Sequence, residues 1–538
     1  MPTLDWIGKD KVINHHKDVP YKVLERKYSF DEGGMHKEDI HSNNMIIHGD
    51  NLEALKSFLP QYEGKIKCIY IDPPYNTGNE GWIYNDNVND PKIKKWLGEV
   101  VGKEGEDLSR HDKWLCMMYP RLVLLQKLLA EDGAIFISID DNEHANLLLV
   151  CNEIFGSNNF IQDIIWNKRV SPARDAKFFS TDHEYILVYS KNKESLTTHF
   201  LPRTEKNNSY YKNPDNDPRG PWNSAAYTCN KSRDERPNLY YPITNPYTGE
   251  KIFPKESAVW AYSEETYQQH VRDNLLYWGV NGEAKQPRKK AFLSEVGDVV
   301  PRSVWSHSDV GSTQKATMEN NTIFNMRAFS YPKVSTLVER IIQIASDKDS
   351  IVLDSFAGSG TTAHAVLNMN KSDGGNRKFI LVEMGDYADT ITAERVKRVI
   401  NGYGEGKNAV EGTGGNFSYY ELGNPLFMQD GTINDEVDIT EVRKYVWYTE
   451  TNGIEYKEDI QEKYFLGSYN DTAYYFYYEK DRVTILDYEF LTSVHKKEQT
   501  YVMYADSCAL SDSDLQKWNI TFKKIPRDIE HILSLIHI

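Results

Sequence analysis

Long apolar runs, paired cysteines and an excess of positive charge are all missing from this sequence. No stretch of about 18 or more apolar residues occurs, which argues against a transmembrane helix. The opening MPTLDWIGKDKV lacks the apolar core of a secretory leader. The five cysteines (Cys68, Cys116, Cys151, Cys229 and Cys508) are scattered and odd in number. With no Cys-x-x-Cys pair, Cys/His cluster or His-Glu-x-x-His spacing, neither a disulfide framework nor a zinc site is expected. No metal ligand is assigned, and the adjacent His15-His16 reads as part of a solvated N-terminal arm. A phosphate-binding G-x-x-x-x-G-K-[ST] loop is also missing. GYGEGKN (402–408) has neither its spacing nor its hydroxyl residue, so an ATP motor is not supported. Glu455-Tyr456-Lys457 resembles the end of a nuclease site but has no Pro-Asp partner at an upstream strand end. What these absences leave is a reduced, cytoplasmic enzyme with no membrane partner.

The net charge of −16 first argues against a nucleic-acid partner, since phosphates call for Lys and Arg. Its distribution weakens that objection. Residues 421–538 hold 22 acidic and 12 basic side chains, whereas residues 201–330 hold 17 basic and 15 acidic. The acidity is concentrated in the tail, so charge alone neither supports nor excludes DNA.

What is present is an alternation of strand-like and helix-like segments. NMIIHGD (44–50), IKCIYID (66–72), GAIFISID (133–140), EYILVYS (184–190), SIVLDSF (350–356) and KFILVEM (378–384) are short apolar runs of the kind buried on both faces of a parallel sheet. Helical patterns separate them, notably around Trp114–Ala130, Val334–Ala345 and from Thr361. Strands near 45–48, 66–72, 133–140, 184–190, 351–355 and 378–383 are expected in one sheet. With 40% hydrophobic and 12% aromatic residues, the chain can bury sizeable cores. The expected organisation is an N-terminal arm over 1–40, a first catalytic half over 41–194, an irregular inserted domain over 195–320, a second half over 321–415 and an accessory domain over 416–538. The insert is marked by turn signals such as NPDNDPRG (213–220), and the last boundary by the glycine-rich stretches at 402–415.

Two motifs carry chemistry. Asp72-Pro73-Pro74-Tyr75 follows a buried strand, and ligands of open α/β sheets bind beyond the carboxyl ends of strands. Two prolines stiffen the turn and remove two N–H donors. An amino group awaiting modification needs acceptors for its two N–H bonds, which the Asp72 carboxylate and the Pro73 carbonyl can provide, while Tyr75 offers a face for stacking a base. An isolated match is equally a strand-ending turn with a structural Asp and a core Tyr. The second motif, Asp354-Ser355-Phe356-Ala357-Gly358-Ser359-Gly360-Thr361-Thr362, opens a helix, where glycines and unpaired N–H groups admit a ligand closely. Glu383 ends a following strand, placed to accept from ribose hydroxyls. Gly358-x-Gly360-x-x-Ala363 with Glu383 also fits a dinucleotide fingerprint, so a nicotinamide dehydrogenase is the rival reading. That rival leaves the Asp-Pro-Pro-Tyr corner unexplained.

Taken together, DPPY followed much later by FAGSG resembles the β group of amino-methyltransferases. GAIFISIDDNE (133–143), AFSYPKVSTLVERII (328–342), YYELGNPLF (419–427), VWYTET (446–451) and ITFKKIPRDI (520–529) further resemble the modification subunits of type III restriction-modification systems. The resemblance implies an α/β class I S-adenosylmethionine-dependent methyltransferase fold in permuted motif order, with an inserted target-recognition domain and an α+β C-terminal domain. It implies transfer of a methyl group from S-adenosylmethionine to adenine N6 in double-stranded DNA by base flipping, with no metal required. Asp72, Pro73, Pro74 and Tyr75 would be catalytic. Asp50, Asp354, Phe356, Ala357, Gly358, Gly360, Thr361 and Glu383 would bind the cofactor, although Asp50 is equally placed to cap the helix beginning NLEAL and Asp354 to cap its strand. An Asp, rather than a Ser, at the start of the motif favours adenine N6 over cytosine N4. Lys168, Arg169, Arg174 and Lys177, with Arg288, Lys289 and Lys290 in the insert, are the candidate DNA contacts. A homodimer and a separate helicase-nuclease restriction subunit are the implied protein partners. A recognition subunit without catalysis would retain the insert but could lose Asp72 or the glycine loop, and both are intact here.

Overall fold

The computed structural model describes residues 3–77, 109–174, 176–428, 430–451 and 462–525, with residues 95, 99, 454, 456 and 457. Glu455 and the terminal HILSLIHI lie outside the described residues. The chain divides into two compact units, one formed by residues 1–199 with 302–538 and the other by residues 200–301.

The larger unit is organised by an 11-stranded sheet. Its strands, in chain order, are β1 (Lys22–Asp31), β2 (Gly34–His36), β3 (Met45–His48), β4 (Ile66–Ile71), β5 (Leu129–Ile139), β6 (Phe160–Asn167), β7 (His183–Ser190), β8 (Val304–Trp305), β9 (Ile351–Asp354), β10 (Lys378–Glu383) and β11 (Asn416–Pro425). Across the sheet they run β8-β6-β7-β5-β4-β9-β10-β3-β11-β1-β2. The central strands from β5 to β11 are parallel, and β7 enters antiparallel against β5. Every residue of β4 is buried, as a strand covered on both faces requires. The six expected strands all lie in this one sheet. The chain builds β3 to β7 before β9 and β10, yet β4 and β9 are neighbours, with Val352 opposite Cys68 and Leu353 opposite Ile69.

Five further strands were not foreseen. Lys22–Asp31, within the segment read as an arm, pairs antiparallel with Asn416–Pro425, within the segment read as an accessory domain. Both carry alternating aromatic and polar residues, and Tyr28 stacks on Tyr419 at 5.0 Å. The polar half of that alternation hides them from a search for continuous apolar runs. Helices α1 (Asn51–Ser57), α2 (Arg110–Leu128), α3 (Thr313–Phe324), α4 (Ser335–Ala345), α5 (Thr361–Asp373) and α6 (Glu394–Asn401) belong to the same unit. Ser109 starts α2 with a reciprocal capping box to Asp112. Beyond β11, helix α7 (Ile439–Thr451) and a four-stranded sheet, β12 (Phe465–Tyr469), β13 (Thr472–Phe476), β14 (Thr500–Ala505) and β15 (Ile520–Lys524), complete the unit. The Tyr448 hydroxyl of α7 donates to Glu63 in the loop before β4, tying the tail to the base of the central sheet.

The smaller unit has short strands around an aromatic cluster of Tyr227, Tyr241, Trp260, Tyr267 and Trp278. Trp222–Ala226, Arg288–Phe292 and Leu276–Tyr277 form its three-stranded antiparallel sheet. Its loss of periodicity in the sequence reflects an aromatic core held by turns rather than by long elements. Among the described residues, no helix is long and apolar enough to cross a membrane, and no group of three or more His, Cys, Asp or Glu is placed to hold a metal ion.

Candidate active site

Because β4 and β9 are parallel neighbours, the turns at their carboxyl ends emerge side by side. One cleft is lined by Asp72 from the first turn and by Asp354, Phe356, Gly358 and Thr361 from the second. The two sequence motifs, some 280 residues apart, therefore share one site.

The Asp72–Tyr75 turn is held from several directions. Trp114 of α2 donates its indole N–H to the Pro74 carbonyl at 2.6 Å. Asn76 follows in left-handed conformation (φ 58°), buried, with its amide donating to the Arg110 carbonyl at 3.1 Å and to buried Glu143. Tyr75 is 8% exposed. Its hydroxyl lies 2.9 Å from Asp72 Oδ1 and 3.0 Å from Glu184 Oε2, so one proton serves both carboxylates.

A lysine remote in sequence sits on Asp72. The Lys333 ammonium donates to both carboxylate oxygens at 2.8 Å, lies 2.9 Å from the Tyr75 hydroxyl and stands 4.9 Å over the Tyr75 ring. It is also 3.5 Å from Glu184 Oε2, whose other oxygen accepts from Lys168 at 2.9 Å. Two lysines and two carboxylates thus form a closed, nearly buried cluster in which each charge is paired. Burial pushes the Asp72 carboxyl above its ordinary range, opposed by Lys333 and reinforced by Glu184. Burial acts on Glu184 the same way, but Lys333 and Lys168 together bring its carboxyl below the usual range. Lys333 had entered the reading only as part of AFSYPKVSTLVERII, and Glu184 only as the first residue of an apolar strand. A charge opening a largely buried strand is the signal that was available, because such a charge must find a partner.

The glycine loop is held by backbone. Glu383, at the end of β10, accepts from the Gly358 N–H at 2.7 Å and the Gly385 N–H at 2.8 Å. Asp354 accepts from the Phe356 N–H at 3.0 Å and the Thr362 hydroxyl at 2.6 Å. Burial raises both carboxyls to about 7. Ala357 donates its N–H to the Val382 carbonyl at 3.1 Å. Thr361 donates to the Lys333 carbonyl at 3.2 Å and accepts from buried Arg395, which also donates to Ser359. Gly360 has φ 80°, and a Cβ there would stand 2.9 Å from the Thr392 carbonyl oxygen. Asp50 caps α1, accepting from the Leu52 and Glu53 N–H groups at 2.8 and 3.2 Å and from Arg121 at 3.2 Å. Neighbouring Asn51 donates to the Ser355 carbonyl at 3.1 Å, joining that corner to the loop.

The basic candidates divide. Lys168 belongs to the Glu184 pair and is only 19% exposed on its side chain. Arg169, Arg174 and Lys177 stand exposed on the loop between β6 and β7. In the smaller unit Arg288 donates to Ser224, and Lys289 lies over the Tyr262 ring. Lys290, expected on the surface, is instead buried and ion-paired with Asp215 and Asp217 at 2.5 and 2.9 Å. Strand alternation turns it inward, so it does not belong among the surface cations.

Comparison with known proteins fixes the family. The N6/N4 methyltransferase model, described as DNA methylase, matches residues 66–394. The chain belongs to this DNA methylase family. The dehydrogenase reading of the glycine loop falls away, and the sheet is the class I methyltransferase sheet in permuted order. Among individual relatives of this DNA methylase, the type III restriction-modification enzyme StyLTI Mod subunit of Salmonella typhimurium is 34% identical over 424 residues, or 74% of this chain and 62% of that protein. The EcoP15I Mod subunit of Escherichia coli is 31% identical, over 74% of this chain and 66% of that one. The type II methyltransferase M.KpnI of Klebsiella pneumoniae is 33% identical, over 64% and 81%. The chain spans less than two thirds of the length of the type III subunits it matches. A loose likeness to a solved structure, the PvuII DNA methyltransferase (cytosine-N4-specific), has a TM-score of 0.35 at 13% identity, covering 66% of this chain and 86% of that one.

Proposed function

We propose that this DNA methylase transfers a methyl group from S-adenosylmethionine to the N6 of a flipped adenine in double-stranded DNA, as the modification and recognition subunit of a type III restriction-modification system. The observation that carries the reading is the cleft lined jointly by Asp72 and the Gly358 loop. The donor set suits the cofactor: Glu383 and Asp354 are carboxylates at strand ends, and Phe356, Ala357, Gly358, Gly360 and Thr361 form a loop whose backbone is open to close approach. Asp50, already engaged as a helix cap, borders the same corner. When bound, S-adenosylmethionine supplies an electrophilic methyl group on a sulfonium.

This chain's own residues do the rest. Asp72 and the Pro73 carbonyl accept hydrogen bonds from the two N6 N–H groups, which directs the nitrogen lone pair at the methyl carbon; the sulfonium leaves as a neutral thioether, and one N6 proton is lost to solvent after transfer. Tyr75 stacks on the base. Lys333 now fills both oxygens of the Asp72 carboxylate and one face of the Tyr75 ring, so it must yield before the base is seated, and Glu184 stands 3.5 Å away to receive it. The lysine opposes the upward push of burial on the Asp72 carboxyl while the pocket waits. Most of the acceleration comes from holding two reactants in line, which can be worth about 7–11 kcal/mol.

We assign the segment expected at 195–320, of which residues 200–301 form the smaller unit, to target recognition, residues 416–538 to an accessory, dimer-forming role and Arg288 and Lys289 to DNA contact. A homodimer and a helicase-nuclease restriction subunit are the proposed protein partners. Expression in a host without adenine methylation, beside Asp72→Ala, followed by modified-base sequencing, tests the core of this reading. N6-methyladenine at one recurrent motif, absent with the variant, is the expected result. No modification from a folded protein that also fails to bind S-adenosylmethionine would overturn it.

A further inference from the structure

The most exposed large apolar side chain among the described residues is Phe179, at 92%, and Phe178 beside it is 80% exposed. Other aromatic side chains, such as Tyr210 and Tyr247, are also exposed, but these two are adjacent and more exposed than any of them, and their surroundings narrow the explanation. They sit in loop 168–182, between β6 and β7. Its base is closed by the Lys168 N–H donating to the Asp182 carbonyl at 2.9 Å and by the Ser180 hydroxyl, which accepts from the Ala173 N–H at 2.7 Å. The two ends of the loop run directly into the catalytic cluster, because Lys168 and Glu184 pair with each other and Glu184 contacts Tyr75. Five residues separate Phe179 from Glu184, so the tip lies at most about 18 Å along the chain from that cluster. Arg169, Arg174 and Lys177 are exposed on the same loop, and the Lys177 ammonium lies 5.2 Å over the Phe178 ring.

We propose that this loop is a DNA wedge: Phe178 and Phe179 enter the base stack at the gap left by the extruded adenine, while Arg169, Arg174 and Lys177 hold the flanking phosphates. The inference rests on the base-flipping reading above and adds to it the element that keeps the duplex open. Flat apolar side chains are suited to an unstacked step, and cations beside them suit a polyanion better than a protein partner. A protein-docking surface would present a broader apolar patch than one pair of rings. Because both rings are solvated, their removal leaves the core untouched.

The test compares the wild type with the double variant Phe178→Ala/Phe179→Ala on duplexes carrying the methylated motif found by sequencing. One duplex is fully paired, one has the target adenine opposite an abasic site, and one has 2-aminopurine at the target. The expected result is that the variant methylates paired DNA at least 10-fold more slowly and loses most of the 2-aminopurine fluorescence rise. On the abasic duplex, where opening is already cheap, it comes within about 2-fold of the wild type. Phe178→Trp/Phe179→Trp should retain activity on paired DNA. Equal rates on paired DNA overturn the wedge while leaving the methyltransferase reading intact. An equal loss on both duplexes also overturns it, in favour of simple phosphate contact, and a changed oligomeric state would assign the rings to a protein interface. A wild type that neither methylates nor brightens 2-aminopurine removes the reading on which the wedge rests.

Discussion

The turns that end β4 and β9 are neighbours built on opposite plans. The first is made of prolines and side chains: Trp114, Asn76 and Tyr75 fix it, and a lysine pairs with its carboxylate against the upward push of burial. The second is made of glycines and backbone: its two carboxyls accept N–H and hydroxyl groups, have no direct cation partner in those contacts, and rise to about 7. The difference teaches how one cleft prepares for two dissimilar reactants. On the proposed reading, the acceptor of a neutral amino group is ion-paired until needed, whereas the seat of a cationic donor is left near its titration point.

Removing the acceptor should have the largest effect. Asp72→Ala should lower single-turnover methylation by at least about 10³-fold, as loss of an acceptor that positions the nucleophile would, while S-adenosylmethionine binding by calorimetry changes little. An unaltered rate would end the contrast, because the turn would then be structural. Next comes Gly360→Ala. The left-handed backbone and the approach to the Thr392 carbonyl make it costly by roughly 1–3 kcal/mol, read as a lower melting temperature together with weakened cofactor binding. Asp72 turn chemistry should tolerate no comparable glycine effect, since it has no glycine.

The pH responses should separate the two turns further. Ionised Glu383 is the stronger acceptor from a ribose, so cofactor affinity should fall as pH drops below about 7, and Glu383→Gln should flatten that slope. Stability runs the other way. Carboxyls raised in the folded state favour the folded protein fully below their ordinary values near 4, and this contribution is lost as pH rises through about 7. The free protein should therefore lose melting temperature from these two groups between pH 5 and 8, and a profile with no such component would remove the raised values. Lys333→Met sharpens the comparison through its pH profile rather than through its size of effect. Without the ammonium, burial and Glu184 act on Asp72 against the Tyr75 hydrogen bond, so the acid limb of the methylation rate should move to higher pH. A merely structural lysine would lower the rate at all pH values without moving the limb.

Much of this was legible before any coordinates. The six apolar runs marked the central sheet, and the two strand-end motifs marked the cleft, because burial on both faces leaves a continuous apolar signature and chemistry concentrates at strand ends. The strands β1 and β11 escaped notice because their alternating polar residues resemble an exposed hairpin as much as a sheet edge. The cluster of Lys333, Glu184 and Lys168 escaped because it is made of residues remote in sequence, each unremarkable alone. Lys290 misled for a related reason: three basic residues in a row read as a surface patch, but successive strand residues face opposite ways. A composition cannot say which of three adjacent cations is inside.

The pairing of β1 with β11 has a consequence for how the protein is made. At ordinary synthesis rates of about 5–20 residues per second, roughly 20–80 s pass between the emergence of Asp31 and that of Asn416, its partner in the ladder. Through that interval the first strand has made its hairpin with β2 but shows an open edge on its other side, the kind of edge that recruits foreign strands. The nascent chain is thus most vulnerable to misassociation late in translation, and slow codons or ribosome pausing between residues 31 and 416 should lower soluble yield more than the same delays placed after β11.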